Sequence, residues 1–370
     1  MGNLCHQSAR NYADLVEVDN KKTVIDDVLH TGSVLGLHAL GNNTVSCSDD
    51  RRICIFDWAS PAQSKFYCSG HDKAVNRVLA VDAHVWSVSR DLSLRQWDPA
   101  SGTVVQTIAQ THELNVSALA AHPTGKTIFT GSRDYHVKAW DASTGTCTSS
   151  YSCPRNIVTA LEMGGTTDPA LLYQASEDLC VRGWDTREAS ASMPALHLTG
   201  FVYFPLCLAV HPDGHTLSTG CKGFNSVGCE VKLWDLRSCT RPLVELLGHS
   251  QDVTGVRFSS DGAALVSASK DGSIYAWHTQ TVSEKTHSPM HILPPDGRSF
   301  SSLSLAANGS KFAVGAHDGS ISLLELGPEN MHIARETAAG NTIDGVLEDA
   351  LAKGRTVAQI TAERESLRHP

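Results

Sequence analysis

The hydrophobic pattern of this chain consists of short alternating segments separated by polar turns. In one stretch, Val116–Ala121 alternates apolar and polar residues, HPTG (His122–Gly125) makes a turn, and Lys126–Gly131 continues the alternation. A second turn leads into Tyr135–Trp140. A period of two is typical of β-strands with one buried face, and turns rich in Gly, Asp and Asn connect antiparallel strands. Each such stretch predicts a unit of four short antiparallel strands.

The same unit recurs along the chain at intervals of roughly 40 to 50 residues. Its best copies are SVSRDLSLRQWD (Ser87–Asp98), TGSRDYHVKAWD (Thr130–Asp141), QASEDLCVRGWD (Gln174–Asp185) and SASKDGSIYAWH (Ser267–His278). The units close at Asp57, Asp98, Asp141, Asp185, Asp235, His278 and Glu325. Units of this length bury their apolar faces against their neighbours. Seven of them predict a closed ring of blades, which leaves only short, protected sheet edges.

These motifs resemble the WD-repeat β-propeller family over residues 21–338. The resemblance implies an all-β, seven-bladed β-propeller. The residues outside it form a short N-terminal tail (1–20) and a C-terminal tail (339–370), which is predicted to be helical from its spacing. The resemblance also implies a buried hydrogen-bonded tetrad in the regular blades. The tetrads would be His71, Ser87, Asp91 and Trp97 in blade two, His112, Thr130, Asp134 and Trp140 in blade three, and His249, Ser267, Asp271 and Trp277 in blade six.

The other blades depart from the tetrad. Blade one keeps His30, Ser46 and Asp50 with Phe56 in the Trp place, blade four keeps Asp178 and Trp184 with Pro154 in the His place, blade five keeps Thr219 and Trp234, and blade seven keeps Asp318. In blade five an insertion removes the Asp. We expect lower local rigidity in blades four, five and seven, with the same overall fold.

Ser, His and Asp in one unit could also form a hydrolytic triad. An active site is a single arrangement, however, whereas this set recurs with a Trp in every regular copy. A buried hydrogen-bond chain explains the recurrence. The chain is therefore predicted to be non-catalytic, with no cofactor.

Composition narrows the choice of partner. The 370 residues carry a net charge of −9 and a charged fraction of 19%, which argues against nucleic acid as the main partner and favours other proteins. The 11 cysteines are scattered without a CxxC pair, which favours reduced thiols in a cytosolic protein. No secretory signal and no apolar run long enough to cross a bilayer occur.

Two segments of blade five contain residue types found in metal sites or in phosphate-binding loops. His211, His215, Cys221 and Cys229 lie close in sequence, but their spacing matches no zinc pattern. The segment GCKGFNS lacks the frame of a phosphate-binding loop. We therefore predict no metal site.

Partner-binding residues are expected on one face of the ring. The residue before each tetrad Asp points to that face, which gives Asp49, Arg90, Arg133, Glu177, Lys270 and His317. Three of these six are cations on an acidic chain. They would either guide an acidic partner segment or form an ordinary solvated rim.

Blade five carries two additional features. The stretch LTGFVYFP (Leu198–Pro205) contains Phe201, Tyr203 and Phe204, which would be interface anchors or, alternatively, core residues of that blade. The insertion KGFNSVGCE (Lys222–Glu230) lengthens the hairpin before Trp234. We predict that partners bind near blade five.

The chain ends raise three questions. Lys21–Val28 could supply the closing outer strand of blade seven, and Met331–Thr337 is the rival; we favour the N-terminal segment. Gly2 and Cys5 are candidates for acylation, although His6 stands where the motif has Ser or Thr. Residues 341–368 show helical spacing, which predicts either a helical hairpin packed on the propeller or a docking helix.

The sequence is compatible with three functions. Segments of blades four and five (152–163, 173–187 and 220–237) resemble a group of WD-repeat proteins associated with cilia and with trafficking or GTPase regulation there, which implies a non-enzymatic scaffold in the cytoplasm and the cilium or flagellum. Alternatively, Asp178, Trp184, Asp185 and Arg187 (WDTR) resemble the box by which substrate receptors dock on cullin–RING ubiquitin ligases, with WDLR (Trp234–Arg237) as a partial second copy. A third possibility is a structural, microtubule-associated component of the axoneme.

Overall fold

The computed structural model describes residues 23–24, 29–58, 66–152, 157–165, 169–188, 193–238, 241–279, 291–293, 297–305 and 311–325. Over these ranges the chain forms 28 strands in seven four-stranded antiparallel sheets, without a helix. The prediction of an all-β, seven-bladed β-propeller is confirmed. The N-terminal tail, Pro154 and the C-terminal helical tail lie outside the described residues, so the predicted domain bounds remain predictions.

The first three blades follow one another along the chain, each from its innermost to its outermost strand. Blade one comprises β2 to β5 (Val34–Leu40, Asn43–Ser48, Arg52–Asp57 and Phe66–Ser69). Blade two comprises β6 to β9 (Val75–Val81, His84–Ser89, Leu94–Trp97 and Val104–Ile108). Blade three comprises β10 to β13 (Val116–Ala121, Thr127–Ser132, His136–Asp141 and Cys147–Ser152).

Blades four to six repeat this order. Blade four comprises β14 to β17 (Val158–Met163, Leu171–Ser176, Cys180–Asp185 and Leu196–Leu198). Blade five comprises β18 to β21 (Pro205–Val210, Thr216–Cys221, Val231–Asp235 and Val244–Leu246). Blade six comprises β22 to β25 (Val253–Phe258, Ala264–Ser269, Ile274–His278 and His291–Leu293).

Blade seven is closed by the N-terminal part of the chain. It contains β26 to β28 (Phe300–Leu305, Lys311–Ala316 and Ile321–Glu325), and its outermost strand is β1 (Thr23–Val24). Thr23 pairs with Leu323 and Val24 with Ser322. The preference for the N-terminal closing strand is confirmed for these two residues. The rival segment, residues 331–337, lies outside the described part of the chain.

The core lies between the blades rather than within each one. The cluster around Phe129 and Tyr151 of blade three includes Val158, Leu172 and Trp184 of blade four. The second strand of each blade therefore has apolar neighbours on both sides, and β11 is buried along nearly its whole length. Strict alternation is seen in an innermost strand such as β10, whose other face borders the central channel.

A ring of hydrogen bonds joins the blades at one end of the channel. Every innermost strand has a register shift at one residue, and these residues are Leu35, Asn76, Ser117, Thr159, Leu206, Thr254 and Ser301. The five polar ones donate to the first carbonyl of the next innermost strand, as in Thr159 Oγ1 to the oxygen of Pro205 at 2.6 Å. The last of them, Ser301, donates to Val34 and so links blade seven to blade one.

Arginines serve the two junctions where leucine occupies the register-shift position. Arg77 of blade two donates Nη1 to the carbonyl of Leu35 at 2.7 Å. Arg257 of blade six donates Nη1 to the carbonyl of Leu208 in blade five at 3.0 Å. All seven junctions among the described strands thus carry a side-chain hydrogen bond to a neighbouring backbone.

The three regular tetrads form continuous hydrogen-bond chains. In blade two, His71 Nδ1 lies 2.8 Å from Asp91 Oδ2, His71 Nε2 lies 2.7 Å from Ser87 Oγ, and Trp97 Nε1 donates to Ser87 Oγ at 2.8 Å. Blade three has the same contacts. In blade six, His249 Nδ1 lies closer to Ser273 Oγ (2.8 Å) than to Asp271 (3.5 Å).

The irregular blades replace parts of this chain. In blade one the His30–Asp50 and His30–Ser46 contacts remain, and Ser46 Oγ donates to the carbonyl of Cys54. In blade four Trp184 donates to the side-chain oxygen of Gln174 at 2.6 Å. The Ser46 hydroxyl, which has no Trp partner, and the Trp184 indole, which has no hydroxyl partner, therefore each donate to another acceptor.

Candidate protein-interaction face

The hairpins between the second and third strands of the blades open on one face, here called the mouth face, around the entrance of the central channel. The entrance is a cavity of about 410 Å³. Its wall includes all seven register-shift residues and five of the predicted face residues, namely Arg90, Arg133, Glu177, Phe204 and Lys270. Asp49, Tyr203 and His317 are exposed but do not line the cavity.

The cavity wall is cationic although the chain as a whole is acidic. It contains five cations (Arg77, Arg90, Arg133, Lys222 and Lys270) and two carboxylates (Glu177 and Asp252). Arg90 pairs with Asp49 at 3.3 Å and Lys270 with Asp252 at 2.6 Å. Within the described part of the chain, no ion pair involves Arg133 or Lys222. Lys222 was absent from the set predicted from the tetrad positions because it belongs to the insertion.

Phe201 was wrongly placed on the partner-binding face. Its side chain is 6% exposed, and its ring lies 5.1 Å from that of Trp234. It occupies the place of the tetrad His, since His71 lies in the same way 5.7 Å from Trp97. An apolar ring in this place is stabilised by burial rather than by a hydrogen bond. The Gly before it, as in SGH (69–71), could have revealed this role.

In blade five, where the tetrad His and Asp are absent, a buried lysine supplies hydrogen bonds and ion pairs. Lys232 Nζ donates to the carbonyl of Gly200 at 3.0 Å and pairs with Glu245 (2.9 Å) and Glu230 (3.4 Å). Burial lowers the pKa of Lys232, but the hydrogen bond to Glu245 and the charge of Glu230 outweigh burial and raise that pKa above its usual value. The ammonium group therefore stays charged and fixes the loop at Gly200, and sequence reasoning missed it.

The insertion of blade five forms a tight hairpin. Phe224 and Val227 exchange both backbone hydrogen bonds at 3.0 Å. Asn225 and Ser226 between them have φ of 50° and 63°, as a type I′ turn requires. Phe224 and Val227 are therefore the two residues that flank a two-residue hairpin turn.

Both sides of this hairpin are attached to neighbouring loops. The backbone N–H of Ser226 donates to the carbonyl of Ser250 at 3.0 Å, and that of Gly223 donates to Asp252 Oδ1 at 3.0 Å. On the other side, the Lys222 N–H donates to the carbonyl of Phe204 at 2.9 Å. The hairpin is thus held between blade six and the loop that enters blade five.

Four apolar side chains stand out of this fixed structure. Val202 is 58% exposed, Tyr203 40%, Phe224 69% and Val227 54%. The Tyr203 ring covers Gly228, where an added Cβ would meet Tyr203 Cδ2, so the loop and the hairpin share one surface. We call these four residues the blade-five patch. Clustered exposed apolar residues on a rigid support are typical of protein-interaction sites.

The residues of the possible ligase-adaptor box differ in exposure in the structure. Trp184 is fully buried, and Asp178 accepts a hydrogen bond from Arg182 Nη1 at 3.1 Å. Arg187 is 74% exposed and follows β16 at the face opposite the mouth, where its Nε donates to Asp185 Oδ1 at 2.8 Å. Arg187 is thus the accessible member of the box.

His211 and Cys221 of blade five make contacts that differ from those of metal ligands. His211 Nε2 lies 3.0 Å from the carbonyl of Gly262, and Cys221 is buried, which raises the pKa of its thiol above its usual value. No group of three or more His, Cys, Asp or Glu in the described ranges could hold a metal ion. None of the described residues forms a helix that could cross a membrane. Gly2 and Cys5 lie outside those ranges.

Comparison with known proteins identifies the repeats. The family described as WD domain, G-beta repeat, matches residues 102–141, 197–235 and 240–278. Each match covers the outermost strand of one blade and three strands of the next, so the sequence repeat is offset from the blade. This offset explains why β1, at the start of the first repeat, completes blade seven.

Relatives of this chain carry varied names. Nuclear distribution protein PAC1 of Ajellomyces capsulatus is 29% identical over 67% of this chain and 58% of its own length. Periodic tryptophan protein 2 homolog of Dictyostelium discoideum is 27% identical over 58% of this chain and 22% of its own length. Cell division cycle protein cdt2 of Schizosaccharomyces pombe is 32% identical over 30% of this chain and 23% of its own length.

The chain therefore spans from about a fifth to about three fifths of the length of these relatives. Propellers of this kind generally serve as non-enzymatic platforms for other proteins. The chain is a seven-bladed β-propeller that contains WD40 repeats and has WD-repeat proteins as homologues.

Proposed function

We propose that this protein is a non-catalytic scaffold that binds other proteins on its mouth face, at the blade-five patch and the adjoining cavity. The observation that carries the proposal is the rigid inserted hairpin, which exposes Phe224 and Val227 beside Tyr203. Such exposure is unfavourable in water unless a partner covers it. The predicted face residues Arg90, Arg133, Glu177, Phe204 and Lys270 would surround that partner.

Proximity labelling in cells tests this site. The wild type would be compared with the double variant Phe224→Ser/Val227→Ser, and Val105→Ser at an exposed position of the outermost strand β9 serves as the control. We expect the double variant to lose a set of labelled proteins that the wild type and the control share. Identical sets for all three, with unchanged thermal melts, would contradict the proposed site.

A ciliary location is the finer proposal. It is supported by the resemblance of residues 152–163, 173–187 and 220–237 to WD repeat-containing protein 31, whose group is associated with ciliary trafficking or GTPase regulation. A fluorescently tagged chain should then concentrate in the cilium or at its base in ciliated cells. A uniform cytoplasmic signal would contradict this location.

Extraction of cilia separates trafficking from a structural role in the axoneme. Release by detergent supports the trafficking scaffold, whereas release only by high salt supports a fixed microtubule-associated component. Membrane attachment would require acylation of Gly2 and Cys5. Equal labelling of the wild type and Gly2→Ala by a myristate analogue would exclude myristoylation of Gly2.

The alternative function is that of a substrate receptor for a cullin–RING ubiquitin ligase. The exposed guanidinium of Arg187, on the face opposite the patch, supports it because adaptor and substrate could then bind at the same time. Purified ligase adaptor should bind the wild type and lose affinity for Arg187→Ala. Absence of binding to either protein would end this alternative.

A further inference from the structure

The blade-five patch and the cationic cavity form one continuous surface. Tyr203 of the patch precedes Phe204, which lines the cavity. On the hairpin, the cavity residue Lys222 lies two positions before Phe224, and its Nζ is 4.8 Å from the centre of the Phe204 ring. A ligand a few residues long can therefore contact both regions.

The two regions favour different chemical groups. The patch offers apolar area to an aliphatic or aromatic side chain. The cavity offers Lys222 and Arg133, which pair with no carboxylate in the described ranges, and the paired cations Arg90 and Lys270 beyond them. Because the whole chain carries a net charge of −9, a basic ligand would be attracted elsewhere on its surface.

The hydrogen bonds that hold this surface in place reduce the entropic cost of binding a ligand. The hairpin is bonded to Ser250, Asp252 and Phe204, and Lys232 fixes the loop at Gly200. A surface that is already ordered loses little conformational freedom when a flexible ligand binds. This favours a short linear segment as the ligand. Such a segment loses conformational entropy when it binds, and the ordered surface adds little to that loss.

Resting on the proposed function, we infer that the ligand is a short acidic segment of another protein with an aliphatic or aromatic anchor. The anchor packs on Tyr203, Phe224 and Val227. The carboxylates bind Lys222 and Arg133 at the mouth of the channel. Charge thereby sets the direction of the segment, from blade five towards the centre of the ring.

Selection from a library of random short peptides displayed on phage tests this inference with the full chain as bait. Individual peptides are then measured by fluorescence anisotropy against the wild type, Phe224→Ser/Val227→Ser, Arg133→Glu/Lys222→Glu and the control Val105→Ser on the outermost strand β9. We expect selected peptides to combine Asp or Glu with an apolar anchor. Either double variant should weaken binding by about tenfold or more, and the control should not.

Raising the salt concentration should weaken binding to the wild type more than binding to the charge-reversed variant. Selection of neutral or basic peptides that still require the patch would overturn the inference of an acidic ligand. It would not contradict the proposed function. The inference would also be overturned if the selected peptides bound every mouth-face variant as tightly as the wild type, or if no peptides were enriched. The proposed function is tested separately, by proximity labelling. Tight binding of a labelled oligothymidine at the same cations would instead indicate a single-stranded nucleic acid ligand.

Discussion

At the scale of single residues, blade five shows how a lost tetrad is compensated. Phe201 replaces the His, and Lys232 supplies a charge that fixes the preceding loop, as Arg95 does in blade two through the carbonyl of Gly70. Lys138 makes the equivalent bond to Thr111 in blade three. The position two residues before the tetrad Trp thus holds the loop in several blades, whether the tetrad is complete or not.

Replacement of Lys232 by Met should destabilise the protein strongly. The change leaves Glu230 buried without its partner, and breaking a buried ion pair costs about 3–5 kcal/mol. The matched control Lys138→Met removes a hydrogen bond to a backbone carbonyl and should cost about 1 kcal/mol. Urea unfolding measures both, and equal losses would show that the Glu230–Lys232 pair is unimportant.

The tetrad carboxylates predict a loss of stability in acid. Burial acts to raise the pKa of Asp91, but hydrogen bonds from His71 and Ser93 outweigh it, and the pKa lies well below its usual value. Asp134 and Asp271 are shifted in the same direction. Because the folded pKa is depressed, this stabilisation is present above the unfolded value of about 3.9 and is lost as the pH falls below it.

Asp91→Asn should therefore lower the melting temperature at pH 7. As the pH falls from about 5 to 3, the difference from the wild type should shrink, since the wild type loses what the variant already lacks. Thermal melts across this range measure the effect. A difference that stays constant with pH would contradict a role for the Asp91 charge.

At the scale of elements, the inserted hairpin has a backbone conformation that its sequence does not favour. Ser226 has φ of 63° at the second central position of the turn, where type I′ hairpins favour glycine. The hairpin keeps this geometry because the Ser226 N–H is bonded to Ser250. Its tertiary contacts therefore fix the direction in which Phe224 points.

Ser226→Gly should stabilise the turn by about 0.5–1 kcal/mol without weakening partner binding, because glycine adopts positive φ readily. Ser226→Val at the same position should destabilise it, since a β-branched residue is strained there. Thermal melts and the peptide assay measure both changes. Equal stability of the two variants would show that the turn relaxes into another conformation.

At the scale of the whole molecule, the ring is closed twice. The outer closure is the pairing of Thr23 and Val24 with blade seven, and the inner closure is the hydrogen bond from Ser301 to the carbonyl of Val34. Because every blade packs its apolar faces against two neighbours, opening one junction exposes both of its faces. Closure therefore stabilises the whole ring rather than one sheet.

Deletion of residues 1–28 should lower the melting temperature by many degrees, because blade seven loses its outermost strand and an edge becomes free. Deletion of residues 1–20 is the matched control, since it keeps Thr23 and Val24. Scanning calorimetry compares the two. An unchanged melt after removal of residues 1–28 would contradict the closing role of β1.

The array of seven blades follows from the amino-acid sequence alone. Alternation of apolar and polar residues, the turns and the recurring Trp-Asp strand predicted the seven blades. In blades two, three and six the predicted tetrad His lies within hydrogen-bonding distance of the predicted Ser or Thr. This was possible because strands and their hairpins depend on local patterns, and because seven copies of one pattern constrain each other.

Local patterns leave open which side chains reach the surface and which are buried, and contacts between distant segments settle this. Burial separated Phe201, which packs on Trp234, from Tyr203 two residues later, because alternate residues of an irregular loop have no fixed side. Lys222 joined the cationic cavity through the fold of the insertion. Lys232 gained its role from Glu230, which lies just before its strand, and from Glu245 on β21. The frame follows from repetition, whereas the site depends on contacts between segments that the repeat does not encode.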